Sequence, residues 1–69
     1  MKITFDKEAD AMYIEMSSEE FSKNKKIDHE TILDLDVNGK IIGIELLNVS
    51  KRMTKDFLSD IRVQNLASA

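Results

Sequence analysis

Hydrophobic and polar residues alternate along much of the first two-thirds of the chain, with the two-residue period of half-buried strands. KITFD (2–6) puts Ile3 and Phe5 on one face. AMYIEM (11–16) puts Met12, Ile14 and Met16 on one face and Ala11, Tyr13 and Glu15 on the other. Between them DKEAD reads as a turn, because Asp and Glu are poor strand formers and Asp bonds its own backbone in turns. Residues 17–30, SSEEFSKNKKIDHE, are polar, with Phe21 and Ile27 the apolar exceptions. A short irregular strand near Phe21–Ile27 is the most that pattern supports.

TILDLDVNGKIIGIELL (31–47) carries the clearest signal. Asn38-Gly39 predicts a two-residue type I′ turn with positive φ at both positions. That turn pairs Val37 with Lys40, Leu35 with Ile42 and Leu33 with Ile44 on one apolar face. The other face carries Ile32, Asp34, Asp36, Ile41, Gly43 and Glu45. Gly43 leaves a dent opposite Asp34, which a bulge or a close approach would explain.

From about Asn48 the period changes: Val49, Met53, Phe57 and Ile61 recur every four residues, with Leu58 beside them. The spacing predicts one helix over about 50–63, capped by Asn48 or Ser50 and supported by an Arg52–Asp56 pair. The expected fold is α+β: a small antiparallel β-meander of three to four strands with one C-terminal helix packed on one face. That helix should cover Met12, Ile14, Met16, Leu33, Leu35, Ile42 and Ile44.

Composition narrows the picture. With 69 residues, the chain is a single small α+β domain over 1–69. At 42% hydrophobic and 33% charged it is globular rather than disordered. It stands near the lower size limit for a self-sufficient core. Small scaffolds commonly add a disulfide, a metal or a partner. The sequence has no Cys, which removes disulfides and thiolate metal sites and leaves a homodimer as the expected device. No apolar run reaches a membrane span, the first residues lack the apolar core of a signal peptide, and a cytoplasmic location is expected. A net charge of −3 makes nucleic acid an unfavoured partner.

Candidate chemistry is sparse. Asp6, Glu8 and Asp10 have the spacing of the start of a calcium loop, but Ala11 stands where that loop needs Gly and Ser17 where it needs a bidentate Glu. Asp34, Asp36 and Glu45, with Glu15, form a second acidic group, yet an open hairpin face lacks the cleft and raised pKa of carboxylate hydrolysis. His29 is the single histidine, and no serine has a nucleophile-elbow context. KNKK (23–26), with Lys51, Arg52 and Lys55, reads as a charged solvated face. Met12, Met16 and Met53 read as core filler. No catalytic, cofactor-binding or metal-ligating residues are assigned, no cofactor is expected, and the chain is not expected to be an enzyme.

Two blocks carry a resemblance. Asp6, Glu8, Ala9, Asp10, Ala11, Tyr13 and Ile14 follow the pattern D-x-E-A-D-A-x-Y-I. Ile32, Asp34, Asp36, Gly39, Ile41, Gly43, Ile44, Glu45, Leu46, Leu47 and Ser50 follow I-x-D-x-D-x-x-G-x-I-x-G-I-E-I-L-x-x-S. Over about 3–51 the chain resembles the small bacterial and archaeal family called domain of unknown function 2283. The resemblance implies no catalytic residue. Some members are similar to the antitoxin partners of small RNase-like toxins, which implies binding rather than a reaction.

The expected function is therefore that of a small homodimeric protein-binding module, antitoxin-like, acting on a basic protein partner such as a small toxin. Apolar residues among acids mark an interface, so the partner-binding residues are expected to be Tyr13, Ile32, Asp34, Asp36, Ile41 and Glu45. Dimer contacts could pair those acids with Lys23, Lys25 or Lys26 of a second chain. The alternative is a carboxylate-based divalent-metal-binding protein or enzyme using Asp6, Glu8 and Asp10 or the hairpin acids.

Overall fold

Five antiparallel strands form one sheet in the order β1-β2-β5-β4-β3. The computed structural model describes residues 1–59 and, for Leu58, the backbone alone. The strands are β1 (Lys2–Asp6), β2 (Ala11–Glu15), β3 (Lys23–Asp28), β4 (Thr31–Leu35) and β5 (Ile41–Leu47), followed by α1 (Val49–Arg52) and α2 (Lys55–Ser59). The α+β class is as expected and an antiparallel meander runs through β3, β4 and β5, but among the described residues there are five strands rather than three or four, and β2 pairs with β5. The short irregular strand expected near Phe21–Ile27 is β3, fully exposed along its six residues KNKKID and with a register shift between Lys26 and Asp28. An edge strand without a buried face has no hydrophobic alternation to announce it, and its lysines guard the free edge.

Pairing sorts the strand residues onto two faces. On the inner face Ile3 lies opposite Ile14, Ile14 opposite Ile44 and Ile44 opposite Leu33. Beside that row Phe5 lies opposite Met12 and Met12 opposite Leu46. The outer face carries Thr4 opposite Tyr13, Tyr13 opposite Glu45 and Glu45 opposite Ile32. Met12, Leu35, Ile42 and Val49 are buried, with Met12 and Val49 almost fully enclosed. Burying each such side chain contributes roughly 1.5–3 kcal/mol relative to leaving it exposed.

The β4–β5 connection departs from the expected type I′ turn. Gly39 has φ +79°, but Asn38 is not in the left-handed region. The amide of Gly39 donates to the Asp36 carbonyl at 3.0 Å and that of Asp36 to the Lys40 carbonyl at 2.9 Å. The Asp36 carboxylate accepts the amides of Asn38 and Lys40, each at 2.9 Å. The result is a three-residue loop ending on a left-handed glycine. Asp36 wins the competition because its side chain satisfies two amides that a two-residue turn would place elsewhere. Leu33–Ile44 pairing holds, but a bulge pairs Leu35 with Ile41 instead of Ile42.

Among the described residues the expected single helix is two. Met53 is extended at φ −127°, ψ 153° and ends α1. The Thr54 hydroxyl then accepts the amide of Phe57 at 3.1 Å and caps α2. A threonine side chain offers the backbone this alternative to continuous helix. Of the predicted stripe, Val49 is buried, Met53 half-buried and Phe57 exposed. Ile61 and the expected helix end at 63 lie outside the described residues. Packing of a long helix across the inner face is therefore not a feature of the described structure. Arg52 does not act as the i,i+4 partner of Asp56 but donates to the carbonyls of Glu30 and Leu47 and, at 2.8 Å, to the Thr31 hydroxyl.

Candidate functional site on the outer sheet face

The opening acids are turn-makers. The Asp6 carboxylate accepts the amides of Glu8 and Ala9 at 3.0 and 3.2 Å, closing the β1–β2 turn. Asp10, at φ 53°, sends its carboxylate to Ser50, accepting the amide at 3.0 Å and the hydroxyl at 2.7 Å. Its carbonyl accepts the Val49 amide at 3.0 Å. Asn48 makes no side-chain cap of its own, so the first turn of α1 is capped by a residue 40 positions earlier. Asn48 instead donates to the Glu30 carboxylate. The carboxylates of Asp6 and Asp10 thus satisfy backbone and hydroxyl donors. Among the described residues no group of three His, Asp or Glu side chains is placed to share an ion.

The outer face is where side chains converge. Tyr13 on β2 crosses Gly43 on β5 and donates its hydroxyl to Asp34 on β4 at 2.9 Å. Asn24 on β3 donates its amide to the other Asp34 oxygen at 2.7 Å. One polar row therefore spans four strands. The dent at Gly43 is the close approach that the sequence required: a methyl there would overlap the phenol oxygen and ring. Burial of the phenol, then the hydrogen bond to the Asp34 carboxylate and the nearby charges of Asp34, Glu15 and Glu45, raise the Tyr13 pKa above its ordinary 10.0. The proton that Tyr13 holds is the one shared with Asp34, so this pair acts as a fixed donor–acceptor bridge.

The expected partner-binding residues divide accordingly. Tyr13, Ile32, Asp34 and Glu45 share the outer face and are half-buried. Asp36 is 8% exposed and committed to its turn, so its carboxylate is not presented to a partner. The bulge interrupts the alternation that would put Ile41 beside Tyr13 and Ile32; it lies opposite Leu35, 46% exposed, at the turn end of the sheet. Asn24 is the participant that pattern reasoning missed. Its strand was only weakly marked, and nothing but an amide side chain among lysines singled it out.

The concave regions are open depressions, one of them between residues 19–22 and the Asp36–Asn38 turn and another along Thr4, Tyr13 and Glu45. No described helix is long and apolar enough to cross a membrane.

The two quoted blocks meet in space: Asp10 with Ser50, and Tyr13 with Gly43 and Asp34. A family model described as "Protein of unknown function (DUF2283)" matches residues 2–50. That span holds the whole sheet, the Tyr13–Asp34–Asn24 row and the Asp10–Ser50 cap. Neither the curated proteins nor the solved structures contain a match. The chain belongs to the DUF2283 family of proteins of unknown function.

Proposed function

We propose that the chain is a small homodimeric protein-binding module whose outer sheet face receives a basic protein partner. The single observation that supports this is the bridged row of Tyr13, Asp34 and Asn24, bordered by Ile32, Glu45 and Glu15. An aromatic ring pinned over a glycine loses little further freedom on binding, and rigid aromatic surface is favourable in interfaces. Asp34 is held by two donors, while Glu45 and Glu15 add negative charge beside it. The depression on this face, along Thr4, Tyr13 and Glu45, is open rather than enclosing, and such a face suits a positively charged surface better than a small substrate. The resemblance of some family members to antitoxin partners fits a small basic toxin as that partner.

The test is titration calorimetry against the product of the neighbouring reading frame, where it encodes a small basic protein. Glu45→Lys reverses a charge while keeping both side chains of the Tyr13–Asp34 bridge and should weaken binding at least ten-fold. Raising salt should weaken the wild-type complex as well. Equal affinity of wild type and Glu45→Lys, or no binding at all, overturns the reading.

A further inference from the structure

The two edges of the sheet differ in a way that assigns them different fates. β3 is the guarded edge: it carries Lys23, Lys25 and Lys26 and a register irregularity between Lys26 and Asp28. Full-length antiparallel pairing of β3 with itself would set Lys25 against Lys26 of the second chain. β1 carries a single lysine, Lys2 at its first position, and no register irregularity. It is a regular five-residue strand, KITFD, paired with β2 on one side only among the described residues.

The sequence of β1 is self-complementary. Read antiparallel against a second copy and centred on Thr4, it places Lys2 opposite Asp6, Ile3 opposite Phe5 and Thr4 opposite Thr4. Both ends then carry a cation facing a carboxylate. The Oδ1 atom of Asp6 already accepts two turn amides, so Oδ2 remains for the incoming ammonium. Ile3 and Phe5 lie on the inner face with Ile14 and Met12, so their cross-chain pairing continues the apolar surface of one sheet into the next. Phe5 is 37% exposed in the single chain and would be covered.

We infer that two copies of this chain join through their β1 edges, in antiparallel register about Thr4, into one continuous ten-stranded sheet. The inference rests on the homodimer in the proposed function and supplies its geometry. Such a contact is isologous and closed, because each chain spends the one unguarded edge among the described residues, and the lysine-bearing β3 strands at the two ends stop further growth. Opposite charges directly across a strand pair favour this register, and a slip by one residue would lose both. It leaves the two outer faces free on one side of the extended sheet.

The chain has no cysteine, so single cysteines report the geometry cleanly. Sedimentation equilibrium of the full chain at tens of micromolar should give twice the 7.9 kDa chain mass. Under mild oxidation, Thr4→Cys should form a disulfide-linked dimer and Lys25→Cys, on the other edge, should not. Lys2→Glu sets like charges together at both ends and should weaken dimerisation at least ten-fold, while circular dichroism shows the strands intact. A wild-type dimer with no Thr4→Cys cross-link, or one unmoved by Lys2→Glu, overturns the β1 edge and leaves the homodimer standing. A monomeric wild type overturns both.

Discussion

At the scale of single residues, the bridge from Tyr13 to Asp34 makes a specific claim about titration. Tyr13 is the sole tyrosine and the chain has no tryptophan, so near-ultraviolet absorbance follows its ionisation alone. Its midpoint should lie above 10.0, and Asp34→Asn should bring it down, since that removes a negative charge and replaces a charged acceptor with a weaker neutral one. The sign for stability follows. A raised folded-state pKa contributes stability that is complete below 10.0 and is lost as pH rises through the folded value. Tyr13→Phe should flatten that alkaline loss and cost about 1 kcal/mol at neutral pH, read by urea unfolding. Gly43→Ala tests the same contact from below. The added methyl must push the phenol away and break its bond to Asp34, a loss of about 1–2 kcal/mol. In a Tyr13→Ala background most of that loss should vanish, and additive effects of the two changes would contradict the packing described.

At the scale of elements, the turns are built by carboxylates, and their removal should be felt locally. Asp36→Ala strips two amides of their acceptor beside a buried group and should destabilise by roughly 1–3 kcal/mol, with Asp36→Asn much milder. Gly39→Val should cost about 1–2 kcal/mol because φ is +79° there, even though a side chain would meet no neighbour. Asn38→Ala should change stability by less than about 0.5 kcal/mol, since only the backbone amide of Asn38 is used. A two-residue turn would make both positions costly, so thermal melts of the two variants separate the geometries. In the β3–β4 turn, Asp28 lies below its ordinary 3.8, chiefly through the Glu30 amide, with Thr31 and Arg52 assisting. Its contribution is therefore present above that value and lost as pH falls through the lower folded one. β1 and β2 were legible from apolar residues recurring at every second position, and β4 and β5 from two apolar runs on either side of Asn38-Gly39. β3 was legible only as a short irregular strand, because both of its faces meet water. The break at Thr54 was hidden by a helical stripe that ran straight through it, and hydrophobic period carries no record of a hydroxyl that caps from within. Of the candidate site, Tyr13, Asp34 and the need for something to fill Gly43 were readable; the Asn24 contact required the β3–β4 register that sets it opposite Asp34.

At the scale of the whole molecule, the sheet is two local assemblies set side by side. β1 and β2 form one hairpin, β3, β4 and β5 form a sequential meander, and the seam between them is the pairing of β2 with β5. Only four hydrophobic side chains of the described residues are buried, a core that gives little surplus stability alone and gives a dimer something to contribute. Because Asp10 caps α1 across this seam, Asp10→Ala should loosen α1 and lower global stability by about 0.5–2 kcal/mol, visible together in hydrogen exchange. The seam also sets a kinetic order. Each assembly can zip from its own turns, whereas β2 and β5 must find one another across the intervening loop and meander, the step with the largest loop-closure entropy. The polypeptide should accordingly tolerate being severed between residues 17 and 22. The two pieces, mixed, would reunite along β2 and β5, with Asp10 and Ser50 as the clasp that tells the correct mate from a misregistered one.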